Sequence, residues 1–328
     1  MERRSVLKWL GGFTAGILLS TQANAQNNSP PSDRLGKLLP LRTLGRTGEA
    51  VTMLGVGGAH IGGMSSERDA QETIEIALEG GVRFFDTAES YQSGGSETRY
   101  GKLLTPQYRD VIYLMTKSTA RNADDARLHL DGSLRRLNTD YLDLWQVHSV
   151  NNPQDVDGRV ANGVFEVMAE AKESGRVRHL GFTGHYQPDA LLRVMESDIF
   201  DTCQMPVNLA DPNYSSFIKQ VMPQLIKRDL GVLAMKSLAN GGFFGGSSHG
   251  QSGDNPKIVP NRVSIAEAIN FTWSLPVSVL ITGANNPEQM QEKVALANSF
   301  TVMDEAQRQA LIDKVADLAG TTVEFYKA

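Results

Sequence analysis

The chain has 328 residues, of which 41% are apolar and 21% are charged, a composition typical of a globular protein. Its formal net charge is −5 and it contains no block of like charges, so a nucleic-acid partner has no electrostatic support. A single cysteine, Cys203, excludes an internal disulfide. Because Cys203 lies in an apolar run, it is interpreted as a core residue rather than a nucleophile.

Residues 1–25 have the pattern of a cleaved export signal. A basic opening is followed by an apolar run over 9–20, and Ala23-Asn24-Ala25 fits a small-x-small cleavage site. Arg3-Arg4 resembles a twin-arginine signal, which implies the twin-arginine export machinery as a partner. The apolar run is far shorter than the roughly 20 residues that cross a bilayer, so an uncleaved anchor is the weaker alternative and no permanent membrane span is predicted. The expected location is periplasmic or secreted.

Two segments precede the main domain, which is predicted to occupy residues 38–328. Residues 26–37 are rich in Asn, Ser and Pro, which predicts a flexible polar tether. Leu41–Thr43 and Ala50–Thr52 then flank Gly45-Arg46-Thr47-Gly48. This arrangement predicts a β-hairpin that plugs the N-terminal mouth of the domain.

Short β-branched runs alternate with longer amphipathic segments from residue 51 onward. Eight strands, each followed by a helix, predict an α/β fold of the (β/α)8 TIM barrel type. An open doubly wound sheet is the structural alternative. The predicted strands are 53–56, 83–86, 111–116, 142–147, 178–182, 202–205, 232–235 and 278–281, and the clearest helices are 67–79, 122–137 and 163–173.

A long loop is predicted after the seventh strand, over residues 239–261. The segment is rich in glycine and serine, and a loop of this length in a compact domain is either functional or disordered. Loops that follow the strands of a barrel leave from the catalytic face. The loop is therefore interpreted as a lid over a ligand.

Three consecutive predicted strands end in an ionisable residue: Asp86, Lys117 and His148. The spacing is 31 residues in both intervals, one strand-helix unit each time. Each residue alone has an ordinary explanation as a helix cap, a solvated lysine or a core histidine. Together they are expected at one C-terminal rim, where barrels hold their active sites.

Tyr91 falls five residues after Asp86, in Asp86-Thr87-Ala88-Glu89-Ser90-Tyr91. A free tyrosine has a pKa near 10, too high for efficient proton donation at neutral pH. An adjacent ammonium from Lys117 is expected to lower that pKa, with a carboxylate behind the lysine and an imidazole opposite. This set suits proton transfer to an oxygen while a hydride arrives at carbon.

These motifs, in this order, resemble the aldo-keto reductase family over about residues 41–300. The resemblance implies that Tyr91 is the general acid, Lys117 tunes it, Asp86 holds Lys117 and His148 orients the substrate. It also implies an NADPH that lies extended across the strand ends and delivers a hydride to an aldehyde or ketone, with the protein positioning the nicotinamide. The expected partner is thus a small carbonyl substrate; no metal site is predicted.

The cofactor half of the pattern departs from the family at three positions. Gly184 stands where the family has an asparagine that holds the carboxamide; either His185 replaces it or His185 is an ordinary loop residue. Met235 stands where an aromatic ring often stacks, and Gln289 where an arginine often grips the 2′-phosphate. NADPH is preferred and NAD is the alternative. The expected cofactor contacts are Gly58, Ala59, Asp86, Thr183, Gln204, Met235, Lys236, Ser237, Leu238, Gly283, Asn285, Gln289 and Glu292.

Two other functions fit the same fold. One is a nucleotide-sensing binding protein without turnover. The other is a lyase that forms a Schiff base at Lys117, which the neighbouring Tyr91 and Asp86 argue against.

Overall fold

The computed structural model describes residues 30–246 and 255–328. The predicted export signal over residues 1–25 lies outside them, as does the first part of the predicted tether. Within the described ranges, none of the helices combines the length and the apolar character that a bilayer span requires.

Eight parallel strands close into a barrel, which confirms the predicted TIM-barrel fold and excludes the open sheet. Neighbouring strands follow the order β10-β11-β12-β5-β6-β7-β8-β9. The closure is made where Leu280 to Thr282 of the last strand pair with Leu54 to Val56 of the first. The strands are β1 Ser32–Asp33, β2 Gly36–Lys37, β3 Leu41–Thr43, β4 Ala50–Thr52, β5 Leu54–Gly57, β6 Phe84–Asp86, β7 Tyr113–Ser118, β8 Leu142–Val147, β9 Val177–Thr183, β10 Thr202–Pro206, β11 Gly231–Met235 and β12 Val279–Thr282.

Helices surround the barrel, and several begin at a side-chain cap. Ser66, Asn122 and Asn286 each accept a hydrogen bond from a backbone N–H in the first turn of their helix, which satisfies a donor that would otherwise be unpaired. The helices are α1 Gly58–Gly63, α2 Glu67–Glu79, α3 Gly95–Leu103, α4 Thr105–Tyr108, α5 Ala123–Leu137, α6 Pro153–Ala161, α7 Val164–Glu173, α8 Pro188–Val194, α9 Phe217–Gln220, α10 Met222–Lys227, α11 Ile265–Trp273, α12 Pro287–Asn298 and α13 Glu305–Val315.

The predicted hairpin is present at the N-terminal side of the barrel, with β3 antiparallel to β4. Its Leu44 and Val51 are buried in one apolar cluster with barrel-interior residues such as Phe84 and Leu233. The hairpin therefore closes that end of the barrel with side chains, as the sequence predicted.

The second half of the predicted tether is folded rather than flexible. β1 and β2 form a short antiparallel hairpin, and Asp33 accepts hydrogen bonds from the guanidinium of Arg83 at 2.6 and 2.9 Å. Arg34 also pairs with Asp110. Composition alone predicted a linker here because the buried partner, Arg83, lies 50 residues away in the sequence.

The long loop after β11 packs onto the barrel at both of its described ends. It begins with a short 3-10 helix, Ala239–Phe244, and Phe243, Ile258 and Val259 are buried in a cluster that also contains Tyr326 near the C-terminus. The tip, residues 247–254, lies outside the described residues, so the lid function stays a prediction.

Candidate active site

A buried ion pair joins the second and third barrel strands at their C-terminal ends. The Lys117 ammonium lies 2.5 Å from Asp86 Oδ1, and both side chains are almost fully buried, with 1% and 4% exposed. Burial raises the pKa of Asp86, and the Lys117 charge opposes the rise. Burial would lower the pKa of Lys117, but Asp86 and Tyr91 outweigh burial and raise it. The lysine is therefore held in its charged form.

Lys117 lies inside its strand instead of following it. β7 extends through Ser118, and Lys117 faces Gln146 in the register with β8. The predicted strand ended at residue 116, two residues earlier, because the polar pair Thr116-Lys117 has the character of a strand end. The longer strand fixes the lysine side chain more firmly than a loop would.

The Tyr91 hydroxyl accepts a hydrogen bond from Lys117 Nζ at 3.2 Å. Tyr91 begins a tight turn in which Gln92 and Ser93 both adopt left-handed backbone angles, with φ of 48° and 54°. Such angles are strained for residues other than glycine, and the Gln92 side chain donates to the Ala59 carbonyl at 3.2 Å. The turn thus holds the phenol against the lysine.

The pKa of Tyr91 is raised, contrary to the expected net lowering. Burial is the largest cause of the rise, and Asp86 adds to it; the Lys117 charge lowers the pKa but does not outweigh them. The expectation considered the ammonium alone, and sequence does not reveal how deeply the phenol is buried. In the ligand-free protein the tyrosine is therefore fully protonated at neutral pH.

His148 lies beside the tyrosine. Their ring centroids are 5.6 Å apart with a T-shaped orientation, and His148 Nδ1 lies 3.3 Å from the Ser90 hydroxyl. Burial, reinforced by the Lys117 charge, lowers the pKa of His148 to about 3, so the imidazole is neutral. The structure therefore brings the four predicted residues Asp86, Tyr91, Lys117 and His148 into one cluster.

On the predicted cofactor side, Gln204 and Thr183 stand opposite each other on neighbouring strands β10 and β9. Gln204 lowers the pKa of Asp86, and its own Oε1 is buried and has no partner among the described residues. A buried acceptor without a partner is costly, so this oxygen is suited to accept from the amide of a bound ligand.

Two glycines near the site are explained by close contacts within the protein. A Cβ on Gly184 would lie 2.8 Å from the Val150 carbonyl oxygen, and a Cβ on Gly58 would lie 2.3 Å from the Asp86 carbonyl oxygen. The close Asp86 backbone is by itself sufficient to require a glycine at position 58, which the sequence predicted as a cofactor contact. The missing asparagine at position 184 likewise has a steric cause.

Lys236 follows β11 in a left-handed conformation, with φ of 57°. Its ammonium lies 5.0 Å from the centre of the Tyr326 ring. Burial and the Lys117 charge lower the pKa of Lys236 to about 8, and this lysine forms no ion pair with any described carboxylate.

Burial, with a smaller contribution from Lys236, also lowers the pKa of His185 to about 3. Met235, Ser237 and Leu238 flank this lysine in the same segment.

The expected cofactor contacts after β12 are Gly283, Asn285, Gln289 and Glu292, and each contacts a neighbouring residue of the protein. The Asn285 N–H donates to Gln289 Oε1 at 2.9 Å, and Glu292 pairs with Lys293. The ring of His60 packs over Gly283. The sequence analysis did not single out Lys293, whose side chain is only 6% exposed, or His60; a lysine and a histidine in such surroundings carry no sequence motif.

The C-terminal residues also reach the site, which the sequence analysis missed. Lys327, whose side chain is fully buried, pairs with Asp211 at 2.8 Å and with Glu324 at 3.0 Å. Tyr326 donates to Glu324 at 2.8 Å, and its ring lies 6.2 Å from that of His185. This network fixes the tail against the loops that follow β9 and β10. Its only sequence signal is the density of polar residues in Glu324-Phe325-Tyr326-Lys327.

The family model described as "Aldo/keto reductase family" matches residues 53–316. This range covers the whole barrel and all four residues of the buried cluster. The chain therefore belongs to the aldo/keto reductase family.

Individual relatives agree with this assignment. The chain is 30% identical over 215 residues to aldo-keto reductase YhdN of Bacillus subtilis, which covers 60% of this chain and 61% of that protein. It is 28% identical over 220 residues to L-galactose dehydrogenase of Arabidopsis thaliana, covering 62% and 66%. The matched part thus spans about three fifths to two thirds of these curated relatives.

Solved structures of low sequence identity share the fold. The holo form of aldo-keto reductase AKR11C1 from Bacillus halodurans matches with a TM-score of 0.72 at 21% identity, over 87% of this chain and 99% of that one. An aldo-keto reductase from Klebsiella pneumoniae in complex with NADPH matches with a TM-score of 0.66 at 22% identity, over 85% and 95%.

Proposed function

We propose that the chain is an NADPH-dependent oxidoreductase that reduces an aldehyde or a ketone to an alcohol. The observation that carries this proposal is the buried cluster in which the Tyr91 hydroxyl lies 3.2 Å from a lysine that is itself ion-paired with Asp86. A protonated phenol with a fixed cation beside it is a proton donor whose conjugate base is stabilised as it forms.

Each residue of the cluster has a separate role in the proposed reaction. Tyr91 gives its phenolic proton to the carbonyl oxygen, and Lys117 stabilises the phenolate that remains. Asp86 keeps the lysine charged and aimed, while the neutral His148 orients the substrate. When bound, NADPH supplies the hydride that the carbonyl carbon accepts.

The chain offers groups that fit a nicotinamide nucleotide. The unpartnered Gln204 Oε1 suits the N–H of the carboxamide, and Lys236, a half-buried cation without an anionic partner among the described residues, suits a phosphate. Gln289 carries no charge and its amide oxygen accepts from the Asn285 N–H, so only a neutral NH2 donor is left for a 2′-phosphate, which is a weaker contact than a guanidinium makes. NADPH is our choice, supported by the NADPH named with the Klebsiella structure, and NAD is the alternative.

We further propose that residues 1–25 are a twin-arginine export signal and that the mature enzyme works in the periplasm or outside the cell. The basic start, the short apolar run and the Ala-x-Ala site support this proposal. Mass spectrometry of the chain recovered from the exported fraction tests it; an intact residue 1 there contradicts cleavage.

The charge on Lys117 argues against the lyase alternative. A lysine forms a Schiff base only as the free amine, whereas Asp86 and Tyr91 raise the pKa of Lys117. Trapping with borohydride after addition of a carbonyl compound is expected to leave Lys117 unmodified.

Replacing Tyr91 tests the proposed reaction. Tyr91→Phe removes the proton donor but retains the ring, and we expect kcat to fall about 10²- to 10⁴-fold with little change in the Kd for nucleotide. Turnover is measured with a panel of aldehydes and ketones, using NADPH and NADH. The matched control is Tyr141→Phe. Tyr141 is an exposed tyrosine that directly precedes β8, at the end of that strand away from His148. A wild-type protein no faster than Tyr91→Phe across the panel would favour the nucleotide-sensing alternative.

A further inference from the structure

The loop that carries Tyr91 is paired with the end of β7, the strand that carries Lys117. Past the end of β6, the Thr87 N–H donates to the Met115 carbonyl at 3.0 Å. Two residues further along, the Glu89 N–H donates to the Lys117 carbonyl at 3.3 Å. The parallel pairing of β6 with β7 therefore continues into the loop as far as Glu89, and Tyr91 follows two positions later.

The side chain of Glu89 provides the next acceptor in this pairing. Between β6 and β7, the Tyr113 N–H donates to the carbonyl of Arg83, which lies 30 residues earlier. The residue 30 positions before Thr119 is Glu89, and the Thr119 N–H donates to its carboxylate oxygen Oε1 at 2.8 Å. The Thr119 hydroxyl donates to the same oxygen at 2.5 Å. The carboxylate thus extends the register that the two backbones begin.

The helix α5 reaches the same carboxylate through His129. His129 Nδ1 lies 3.1 Å from Glu89 Oε1 and 2.9 Å from the Ser118 hydroxyl. The Ser118 carbonyl in turn accepts from the His148 N–H at 2.8 Å. The segment that follows Lys117 therefore contacts the tyrosine loop, α5 and the first residue after β8.

The charge of Glu89 strengthens these contacts. Burial alone would raise the pKa of Glu89, but hydrogen bonds from His129 and Thr119 lower it to about 2. Hydrogen bonds to an ionised acceptor are shorter and stronger than those between neutral groups. Because Glu89 is only 8% exposed, water competes little for them.

We propose that Glu89 is a positioning residue that fastens the loop of Tyr91 to the segment after Lys117 and thereby holds the phenol within reach of the ammonium. This role rests on the proposed proton donation by Tyr91. Glu89 acts through the tyrosine and is not required to touch the substrate or the nucleotide. A displacement of about 1 Å at a reacting group costs on the order of 10²-fold in rate, so the contacts that fix such a group matter for catalysis.

Two substitutions at position 89 remove the same charge but differ in the contact that they leave. Glu89→Gln retains an oxygen that accepts from Thr119, and its NH2 group takes the place of Oε2, which has no partner among the described residues. Glu89→Ala removes the acceptor altogether. Because both variants lack the negative charge, a difference between them reports the contact and not the electrostatic effect of the carboxylate on Tyr91.

We expect kcat of Glu89→Ala to fall about tenfold to hundredfold below that of Glu89→Gln, which stays close to the wild type. The Kd for NADPH should be the same in both, because Gln204 and Lys236 lie on the other side of the barrel mouth. Rates are expressed per NADPH-binding site, so a variant that only folds less well retains its kcat. The control is Glu170→Ala, which breaks an exposed ion pair with Arg127 and should leave kcat unchanged.

Equal kcat values in Glu89→Ala and Glu89→Gln overturn the proposal. Equally high values leave Glu89 without a role, and equally low values assign the role to its charge. If Glu89→Ala yields no folded protein, Thr119→Val decides the question, since it removes one of the two Thr119 hydrogen bonds. A kcat about twofold to tenfold below the wild type then supports the proposal, and an unchanged kcat overturns it.

The contact can also be measured without turnover. In 15N-labelled protein, the Thr119 amide should exchange with solvent faster in Glu89→Ala than in Glu89→Gln, and equal exchange contradicts the contact. The pKa of His129 should fall in both variants, because Glu89 is the largest cause that raises it, while Asp125 and Arg136, the other charges that act on this histidine, are retained.

The two kinds of failure are distinguishable. If the wild type reduces no carbonyl compound with NADPH or NADH, the proposed function fails, and the exchange of the Thr119 amide still decides whether Glu89 fastens the loop. If the wild type is active and Glu89→Ala is as fast as Glu89→Gln, the proposed function stands and the positioning role of Glu89 fails.

Discussion

The two sides of the barrel mouth differ in how their polar groups are satisfied. On the side of β6 to β8, the Lys117 ammonium lies 2.5 Å from the Asp86 carboxylate and 3.2 Å from the Tyr91 hydroxyl. On the side of β9 to β12, Gln204 Oε1 has no partner and Lys236 has no anion beside it among the described residues. The charged groups of the first side are paired within the protein, whereas the second side leaves polar groups that suit the proposed nucleotide.

A buried and a half-buried lysine show the same contrast in their pKa values. Lys117 and Lys236 both lose solvation, which lowers the pKa of an ammonium. Asp86 lies against Lys117 and raises its pKa, while burial and the charge of Lys117 lower the pKa of Lys236 to about 8. The same residue type is therefore a fixed charge on one side and a titratable group on the other.

The largest expected effect on stability comes from the side of β6 to β8, where Lys117 is paired with Asp86. Lys117→Met leaves the Asp86 carboxylate buried without its counter-ion, and we expect the free energy of unfolding to fall by about 3–5 kcal/mol. Urea denaturation measures the change. Lys102→Met breaks an ion pair with Glu67 whose side chains are 63% and 52% exposed, and it should cost at most about 1 kcal/mol. Equal losses in the two variants would mean that the preassembled cluster does not contribute to stability.

The second prediction concerns Gly184, one of the three positions that depart from the family pattern. Gly184→Asn restores the usual amide, but its Cβ would lie 2.8 Å from the Val150 carbonyl oxygen. We expect a loss of stability of about 1–3 kcal/mol and no gain in nucleotide affinity. Thermal unfolding and nucleotide titration test both parts. Tighter binding at unchanged stability would show that the cofactor side tolerates the family pattern after all.

The smallest predicted effect is a pH dependence of nucleotide affinity, caused by Lys236 on the side of β9 to β12. A phosphate favours charged Lys236, whose pKa is about 8 without ligand, so binding takes up a proton above that pH. Nucleotide affinity should be constant below about pH 8 and fall by up to about tenfold per unit above it. Lys236→Met should bind more weakly below pH 8 and lack the dependence. A wild-type profile that is flat from pH 7 to pH 10 would place the phosphate elsewhere.

The same lysine has a predictable effect on the ligand-free protein. Since the folded state holds the Lys236 proton less tightly than the unfolded chain, with a pKa of about 8 against a model value of 10.5, the lysine is unfavourable to folding below pH 8. That unfavourable contribution decreases as the pH rises from 8 toward 10.5.

The sequence predicted the barrel and the meeting of Asp86, Lys117 and His148 because both follow from periodicity. Strand-helix units of equal length bring equivalent residues to one rim. It did not predict the net direction of the Tyr91 pKa, which depends on burial by distant segments. It also missed Lys327 and Tyr326, because their partners lie about 116 residues away. The steric reason for Gly184 could not be predicted either, because Val150 belongs to another loop.

The hairpin of β3 and β4 has a consequence for access to the barrel. Leu44 is fully buried, and a Cβ on Gly45 would lie 2.3 Å from the Gly231 nitrogen, so this end of the barrel leaves no passage. A TIM barrel closed at this end has a single opening and is not a pore. Any ligand of the barrel interior therefore enters and leaves at the C-terminal ends of the strands, past Tyr91 and His148.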